Sequence, residues 1–171
     1  MKTISKTELK SILNQHQLWL DGNGGICADL NGANLTGANL NCANLNCANL
    51  NCANLTGANL WYANLRDANL TGADLSRADL RFAYLNGANL TDADLSRANL
   101  VNANLTGAYL LYANLTGANL TGTILEKKAE KKAEKKPEVA SVNAESSIRS
   151  EIEAIAKKHG MKIESMTFSL I

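Results

Sequence analysis

From residue 30 to residue 125 a leucine stands at every fifth position, and from 28 to 118 an alanine stands two residues before the leucine. The unit is Ala-(Asn/Asp)-Leu-x-x. On an α-helix, at about 100° per residue, a step of five turns through roughly 140° and scatters the leucines around every face. No amphipathic stripe results, so a helix is excluded for this stretch. In an extended segment Ala and Leu point to one side and the Asn or Asp between them to the other. The two positions that follow are mostly small or polar, as in Asn31-Gly32, Thr36-Gly37, Thr71-Gly72 and Thr116-Gly117, which is turn chemistry. Each repeat therefore reads as a very short strand followed by a corner.

A period of five does not by itself say how many corners close a coil. The run Ala-Asn-Leu-Thr-Gly-Ala-Asn-Leu at residues 33–40, repeated with variants to Leu125, resembles the pentapeptide-repeat protein family. The resemblance implies an all-β solenoid, a right-handed four-sided parallel β-helix with four pentapeptides to a coil. On that footing residues 28–127 make about five coils and rise about 24 Å at an interstrand spacing of roughly 4.8 Å. The leucines then point inward beside the alanines, each gaining roughly 1.5–3 kcal/mol before the conformational entropy of ordering is set against it. The two end coils would present open edges and apolar interior, and so require covers.

The chain ends supply candidates for those covers. Ser5-Lys6-Thr7-Glu8 fits a capping box, and Leu9, Ile12, Leu13, Trp19 and Leu20 mark an apolar helical face that stops at Asp21-Gly22-Asn23-Gly24-Gly25, predicting an N-terminal capping helix over about 6–20. His16, near that face, reads as a packing or surface residue, since a general base needs a partner and none is near. After Leu125, residues 126–136 repeat Glu-Lys-Lys-Ala with six Lys against three Glu and stop at Pro137. Period four aligns Glu126, Glu130 and Glu134 as like charges, so this is a semi-rigid spacer rather than a strong helix. Beyond it, Ile148, Ile152 and Ile155 share a helical face over about 143–159, and Met166, Phe168 and Leu170 alternate as in a strand. A module of about 30 residues is too small for a core of its own, so these six apolar residues are the candidates for self-association or C-terminal capping. The expected organisation is 1–25 cap and turn, 26–125 β-helix, 126–137 linker and 138–171 helix-strand module.

Composition adds little for most functional classes. The 171 residues include 26 Leu, 25 Ala and 22 Asn, and 17 Lys+Arg balance 16 Asp+Glu. Near-neutral charge gives no support to nucleic acid or an anionic membrane as partner. The N-terminus lacks the apolar core of a signal peptide and no run of 18 apolar residues occurs, so a cytoplasmic protein is expected. No nucleotide, zinc or nucleophile motif is present, and neither enzymatic activity nor a cofactor is expected.

Three features of the repeat positions bear on chemistry. Cys42, Cys47 and Cys52 have a metal-like spacing, but a step of five moves one side around a four-sided coil, so the sulfurs diverge and cannot share a tetrahedral ion. Cys27 and Cys47 stack one coil apart, close enough in Cα separation for a disulfide, yet parallel stacking holds their Cβ atoms beyond the roughly 3.8 Å a disulfide prefers, and free thiols are expected. Stacked in twenties, the bulky outward residues gather: Trp61 and Tyr62, then Arg81 and Phe82, then Val101, on one wall, with Tyr84 round the next corner. Tyr109, Leu111 and Tyr112 form a second group on a neighbouring wall. Exposed aromatics with arginine are the composition of interface hot spots, so these nine residues are the candidate protein-interaction site. Asp74 and Asp94, with Arg77 and Arg97, read as a local salt-bridged patch.

These observations predict a non-enzymatic scaffold or protein-interaction module, with a protein partner or a homo-oligomer formed through the C-terminal module. The alternative is a DNA-mimic regulator of a DNA-binding enzyme such as a type II topoisomerase, a role the family resemblance brings in. Residues 28–125 hold six acids and four arginines, a weak negative surface for imitating phosphates.

Overall fold

The structure, a computed structural model, describes residues 2–126. The chain divides into units at 1–131 and 132–171, and the described residues all fall in the first. Most of the expected linker and the whole C-terminal module, with Ile148, Ile152, Ile155, Met166, Phe168 and Leu170, lie outside the described residues.

The repeats form a parallel β-helix in which each strand is reduced to a single bridge centred on the Asx position. Bridges join Asp29 to Asn49, Asn34 to Asn54 and so on to Asn99 and Asn119, always with residues twenty apart and always parallel. Four pentapeptides therefore make one turn. The leucines from Leu30 to Leu105 are at most 3% exposed and most of the alanines beside them are equally buried, as the inward phase requires. Leu110, Leu115, Leu120 and Leu125 are half-buried, because the last turn has no repeat stacked beyond it.

One central repeat shows how its five N–H groups are satisfied. The Asn69 N–H donates to the Ala48 carbonyl at 3.0 Å, Leu70 to Asn89 at 2.8 Å and Gly72 to Thr91 at 2.9 Å, tying the repeat to its neighbours on either side. The Ala68 N–H closes a turn onto the Leu65 carbonyl at 3.2 Å. That leaves Thr71, whose N–H donates to the Asn69 side-chain oxygen at 3.1 Å. The same Asx turn recurs from Asp29–Asn31 to Asn119–Thr121. Asparagine is therefore more than an outward spacer: its side chain supplies the acceptor that stacking does not.

At the N-terminus, β1 (Lys2–Thr3) pairs in parallel with β2 (Ala33–Asn34). Helix α1 (Lys6–Leu20) follows β1, with the Ser5 side chain accepting the Glu8 N–H at 3.1 Å. Ile4, Leu9, Ile12 and Leu13 pack against the leucine core. Trp19, expected on the same apolar face, is instead 41% exposed, and His16 is the fully buried residue of the helix. The helix turns its His16 edge, rather than its Trp19 edge, toward the first coil.

Candidate functional site

Of the aromatic candidates, Trp61, Tyr62, Phe82 and Tyr112 stand at corners, whereas Tyr84 and Tyr109 take Asx positions on the walls. In each corner the Ala N–H bonds back to the Leu carbonyl three residues earlier, and the residue just before that Ala has positive φ, the pattern of a type II turn. Gly32, Gly37, Gly57 and Gly72 fill it at no steric cost, but Cys42, Cys47, Cys52, Tyr62, Asp67, Arg77, Phe82, Asp92, Arg97, Asn102 and Tyr112 adopt it too, with φ between 53° and 60°. Trp61, Tyr62, Arg81 and Phe82 thus make up an edge between two walls, rather than lying on a wall as expected from stacking in twenties. The Cys42, Cys47 and Cys52 side chains likewise project from three successive corners.

Stacking aligns one coil's corner over the next. The Tyr62 and Phe82 rings lie parallel with centroids 4.9 Å apart and 6° between planes, and Trp61 meets Tyr62 edge-on at 4.5 Å. Trp61 and Tyr62 are 37% and 40% exposed, so the ladder keeps open ring surface. Val101 continues the column but is half-buried. Tyr84 occupies an Asx position on the next wall, and the Arg66 guanidinium sits 4.8 Å from its ring centroid while donating through Nε to Asn86 at 3.1 Å. Arg81 is not free to meet a partner's charge: its Nε and Nη2 grip the Asp79 carboxylate at 2.8 and 2.7 Å. Arg81's hydrogen bond is the main cause holding the Asp79 carboxyl below its ordinary range, against the opposing effect of burial, and the same pair raises Arg81.

Arg66 and Asp79 join the site although the pattern of bulky outward residues does not select them; each is legible by stacking. Arg66 falls one corner on from the Trp61 pair, and Asp79 is the Asx residue two before Arg81. Tyr109, Leu111 and Tyr112 are the most open of the nine candidates, at 65%, 60% and 78%. They lie near the end of the solenoid, and among the described residues no ring contact links them to the Trp61 group.

The salt-bridged patch expected of Asp74, Asp94, Arg77 and Arg97 does not form. Among the described residues none of the four forms an ion pair within 4.0 Å. The carboxylates are engaged locally: Asp74 accepts the Ser76 N–H at 2.9 Å and the Thr56 hydroxyl at 3.0 Å, and Asp94 accepts the Ser96 N–H at 2.8 Å. Burial raises the Asp74 carboxyl, but the Ser76 and Thr56 hydrogen bonds outweigh it and leave it lowered. The arginines sit at left-handed corners beside a shallow depression of about 410 Å³ that Ser76, Ser96 and Thr116 also line.

The four cysteines are free thiols. Cys27 directs its Sγ at the Cys47 backbone carbonyl, 3.4 Å away, rather than at the Cys47 sulfur. Burial, then the proximity of Cys47 and Asp29, raises the Cys27 thiol, which disfavours the thiolate that attack or metal binding needs. Among the described residues no three His, Cys, Asp or Glu side chains converge as metal ligands, and no helix is long and apolar enough to cross a membrane.

The arrangement defines a four-sided parallel β-helix carrying an exposed aromatic ladder on one edge. The pentapeptide repeat profile matches residues 28–51, 53–92 and 88–126, in 8 copies. This chain belongs to the pentapeptide repeat family, whose members fold as right-handed quadrilateral β-helices. Among solved structures it is similar to a pentapeptide repeat protein of the Arabidopsis thaliana thylakoid lumen, at 40% identity over 57% of this chain and 65% of that one, with a TM-score of 0.47. It is also similar to HetL, involved in heterocyst differentiation regulation in the cyanobacterium Nostoc sp. strain PCC 7120, at 38% identity over 58% and 60% with a TM-score of 0.24. A third is a trypsin-treated variant of QnrB1, a plasmid-mediated fluoroquinolone resistance protein, at 26% identity over 54% and 47% with a TM-score of 0.38. This chain spans less than two thirds of each of the three. No individual curated protein gives a significant match.

Proposed function

We propose that this protein is a non-enzymatic scaffold that binds a protein partner through the edge formed by Trp61, Tyr62 and Phe82 together with the adjoining wall and corner that carry Tyr84 and Arg66. The observation that carries this reading is the open aromatic ladder, with Tyr62 and Phe82 stacked at 4.9 Å on left-handed corners. Such clusters of exposed aromatics beside arginine are where interface energy concentrates. Around it the surface is mostly Asn, Thr, Ser and Gly, which offers hydrogen bonds but little apolar area. The solenoid, about five coils long and covered at its N-terminal end by α1, serves as the rigid mount, and the proposed location is the cytoplasm.

The test is affinity capture with the full chain and with a Trp61→Ala/Phe82→Ala variant whose fold is checked by circular dichroism. Partners held by the wild type and lost by the variant support the proposal; recovery of the same proteins in the same amounts removes it. For residues 138–171 the proposed role is self-association or capping. Light scattering on the full chain and on residues 1–136 separates the two, since a fall in oligomer mass on truncation assigns self-association. The DNA-mimic reading has less behind it. Asp79 is neutralised by Arg81, and the remaining acids form no continuous stripe. A supercoiling assay with a type II topoisomerase, showing inhibition or protection by this chain, would reverse that preference.

A further inference from the structure

From Ala33 onward the Ala N–H of every repeat is taken by a leucine carbonyl three residues earlier. Ala28 has no such leucine, because position 25 is Gly25. The imidazole of His16 takes that place, its Nδ1 accepting the Ala28 N–H at 3.1 Å. Two neighbouring contacts hold the same junction. The Ile26 N–H donates to the Gln15 carbonyl at 3.2 Å, and Gly25 lies so close to α1 that a Cβ there would meet the Gln15 carbonyl oxygen, and Leu18 Cβ and Trp19 N at 2.8 and 2.9 Å. His16 is fully buried and stacks on Trp19 with centroids 5.6 Å apart.

Because Nδ1 accepts, the ring is neutral and carries its proton on Nε2. That nitrogen is buried without a hydrogen bond of normal geometry; the one group favouring the charged ring is the Asn46 backbone. We propose that His16 is a protonation-gated latch, which seats α1 and β1 on the first coil when neutral and releases them when protonated. A second proton can enter only at Nδ1, where it would point at the Ala28 N–H, donor against donor. The bond that ends the β-helix would be lost and a cation left enclosed.

The ionisable groups on the packed segments do not offset this. They are Cys27 and Asp29 on either side of Ala28, Cys47 after Asn46, and Asp21 at the end of α1, whose carboxylate accepts from the Gln17 amide at 2.8 Å. None of them is hydrogen-bonded to the ring, which burial lowers from its ordinary 6.5 against the lesser effect of the Asn46 backbone. Release would expose the edge of the first coil that β1 now covers through the Lys2 N–H to Gly32 carbonyl bond at 2.9 Å, an edge open to pairing with another chain.

Amide hydrogen exchange on the full chain, followed by NMR from about pH 8 to about pH 4.5 across the imidazole range and corrected for intrinsic rates, tests the latch. Protection at Ala28, Ile26 and the α1 amides should fall about tenfold per pH unit below the free imidazole value of 6.5, until the seated ring itself titrates at its lowered value, while Leu70 and its neighbours hold theirs. In His16→Asn the side-chain oxygen can still accept the Ala28 N–H but does not titrate, so its protection should stay flat. An equal fall in His16→Asn, or unchanged wild-type protection at Ala28 down to the lowest pH, would overturn the proposal. If the variant does not fold, the wild-type imidazole ¹⁵N shifts decide. A ring that starts as the Nε2–H tautomer and titrates together with the loss of Ala28 protection supports the latch, and one that titrates without that loss refutes it.

Discussion

Replacing Asn89 by Ala isolates the side-chain acceptor on which every regular corner depends. The Asn89 side chain makes one hydrogen bond, accepting the Thr91 N–H at 3.1 Å in a part-buried setting. The Asn89 backbone bonds, from its N–H to Ala68 and from the Leu70 N–H to its carbonyl, survive the change. Removing the acceptor leaves the Thr91 N–H without a partner from either adjacent coil, since the ladder uses the other N–H groups. The cost should be about 0.5–1.5 kcal/mol, the net value of one such bond, toward the upper end because water reaches the corner only in part. For a chain of this size that lowers the unfolding midpoint by about 2–4 °C per kcal/mol. Thermal and urea unfolding followed by circular dichroism would measure it, with Asn89→Asp as the control that keeps an acceptor oxygen. Equal stability of the Ala and Asp variants would refute a stabilising role for the side-chain acceptor. The converse substitution, Tyr109→Asn, supplies an acceptor to the Leu111 N–H, which has none among the described residues, and should stabilise relative to Tyr109→Ala.

Gly57→Ala should cost about 1–2 kcal/mol although its Cβ would meet nothing within 4 Å, because φ there is +63° and a side chain in the left-handed region carries that penalty; Gly57→Asn should cost less, and equal losses would point away from backbone strain. Gly25→Ala should destabilise by about 2 kcal/mol or more by forcing α1 off the first coil, seen as faster proteolysis within residues 6–20, and unchanged proteolysis would show that the contact relaxes freely. Leu70→Asp places a carboxylate at a fully buried position and should abolish folding, whereas Leu70→Ala should lose about 2–5 kcal/mol and remain folded; retained β-structure in Leu70→Asp would contradict the single leucine core. The Asp79–Arg81 pair holds the carboxyl below its ordinary range, so its contribution is present above the unfolded aspartate pKa and is lost as pH falls through the lower folded value. Both side chains are substantially exposed, so solvent screening keeps that contribution small, and the stability gap between wild type and Asp79→Asn should close in strong acid.

The solenoid was legible because its rule is local and repeated. A residue type at every fifth position excludes a helix outright, and the family resemblance supplied the four-sided closure that spacing alone does not give. Two things escaped. The left-handed corner is signalled by Gly at Gly32 or Gly57, but that signal disappears at Tyr62, Arg77 and Phe82, where only alignment with the glycine-bearing repeats reveals the same φ. His16 escaped because its role is defined by something missing. Position 25 lacks the repeat's leucine, so Ala28 needs an acceptor that the linear pattern does not locate, and α1 provides it from twelve residues away. The patch of Asp74, Asp94, Arg77 and Arg97 differs for a similar reason: stacking in twenties brings offsetting charges onto one wall, but the Asx turns commit the carboxylates to the Ser76 and Ser96 N–H groups.

The corner geometry also sharpens the case for the aromatic edge. Tyr62 and Phe82 each occupy a position where glycine is free of penalty and a bulky side chain costs about 1–2 kcal/mol. Their mutual stacking returns about 0.5–1.5 kcal/mol for the pair, and the ring surface left exposed gains nothing from burial within the chain. Asn102, next in the column, belongs to the type that tolerates left-handed backbone best among non-glycine residues, so within this column the penalty falls on Cys42, Tyr62 and Phe82. The part of each ring that the neighbouring corners cover adds to that return, and the open ring surface is what the folded chain leaves unused. A bound partner changes the balance, since covering the Trp61, Tyr62 and Phe82 faces adds the apolar burial that the solitary solenoid forgoes, at a site already ordered by stacking. Tyr62 and Phe82 share the left-handed corner with nine other non-glycine residues, and what sets them apart is the parallel ring stack beside an open Trp61, the surface that a partner would cover.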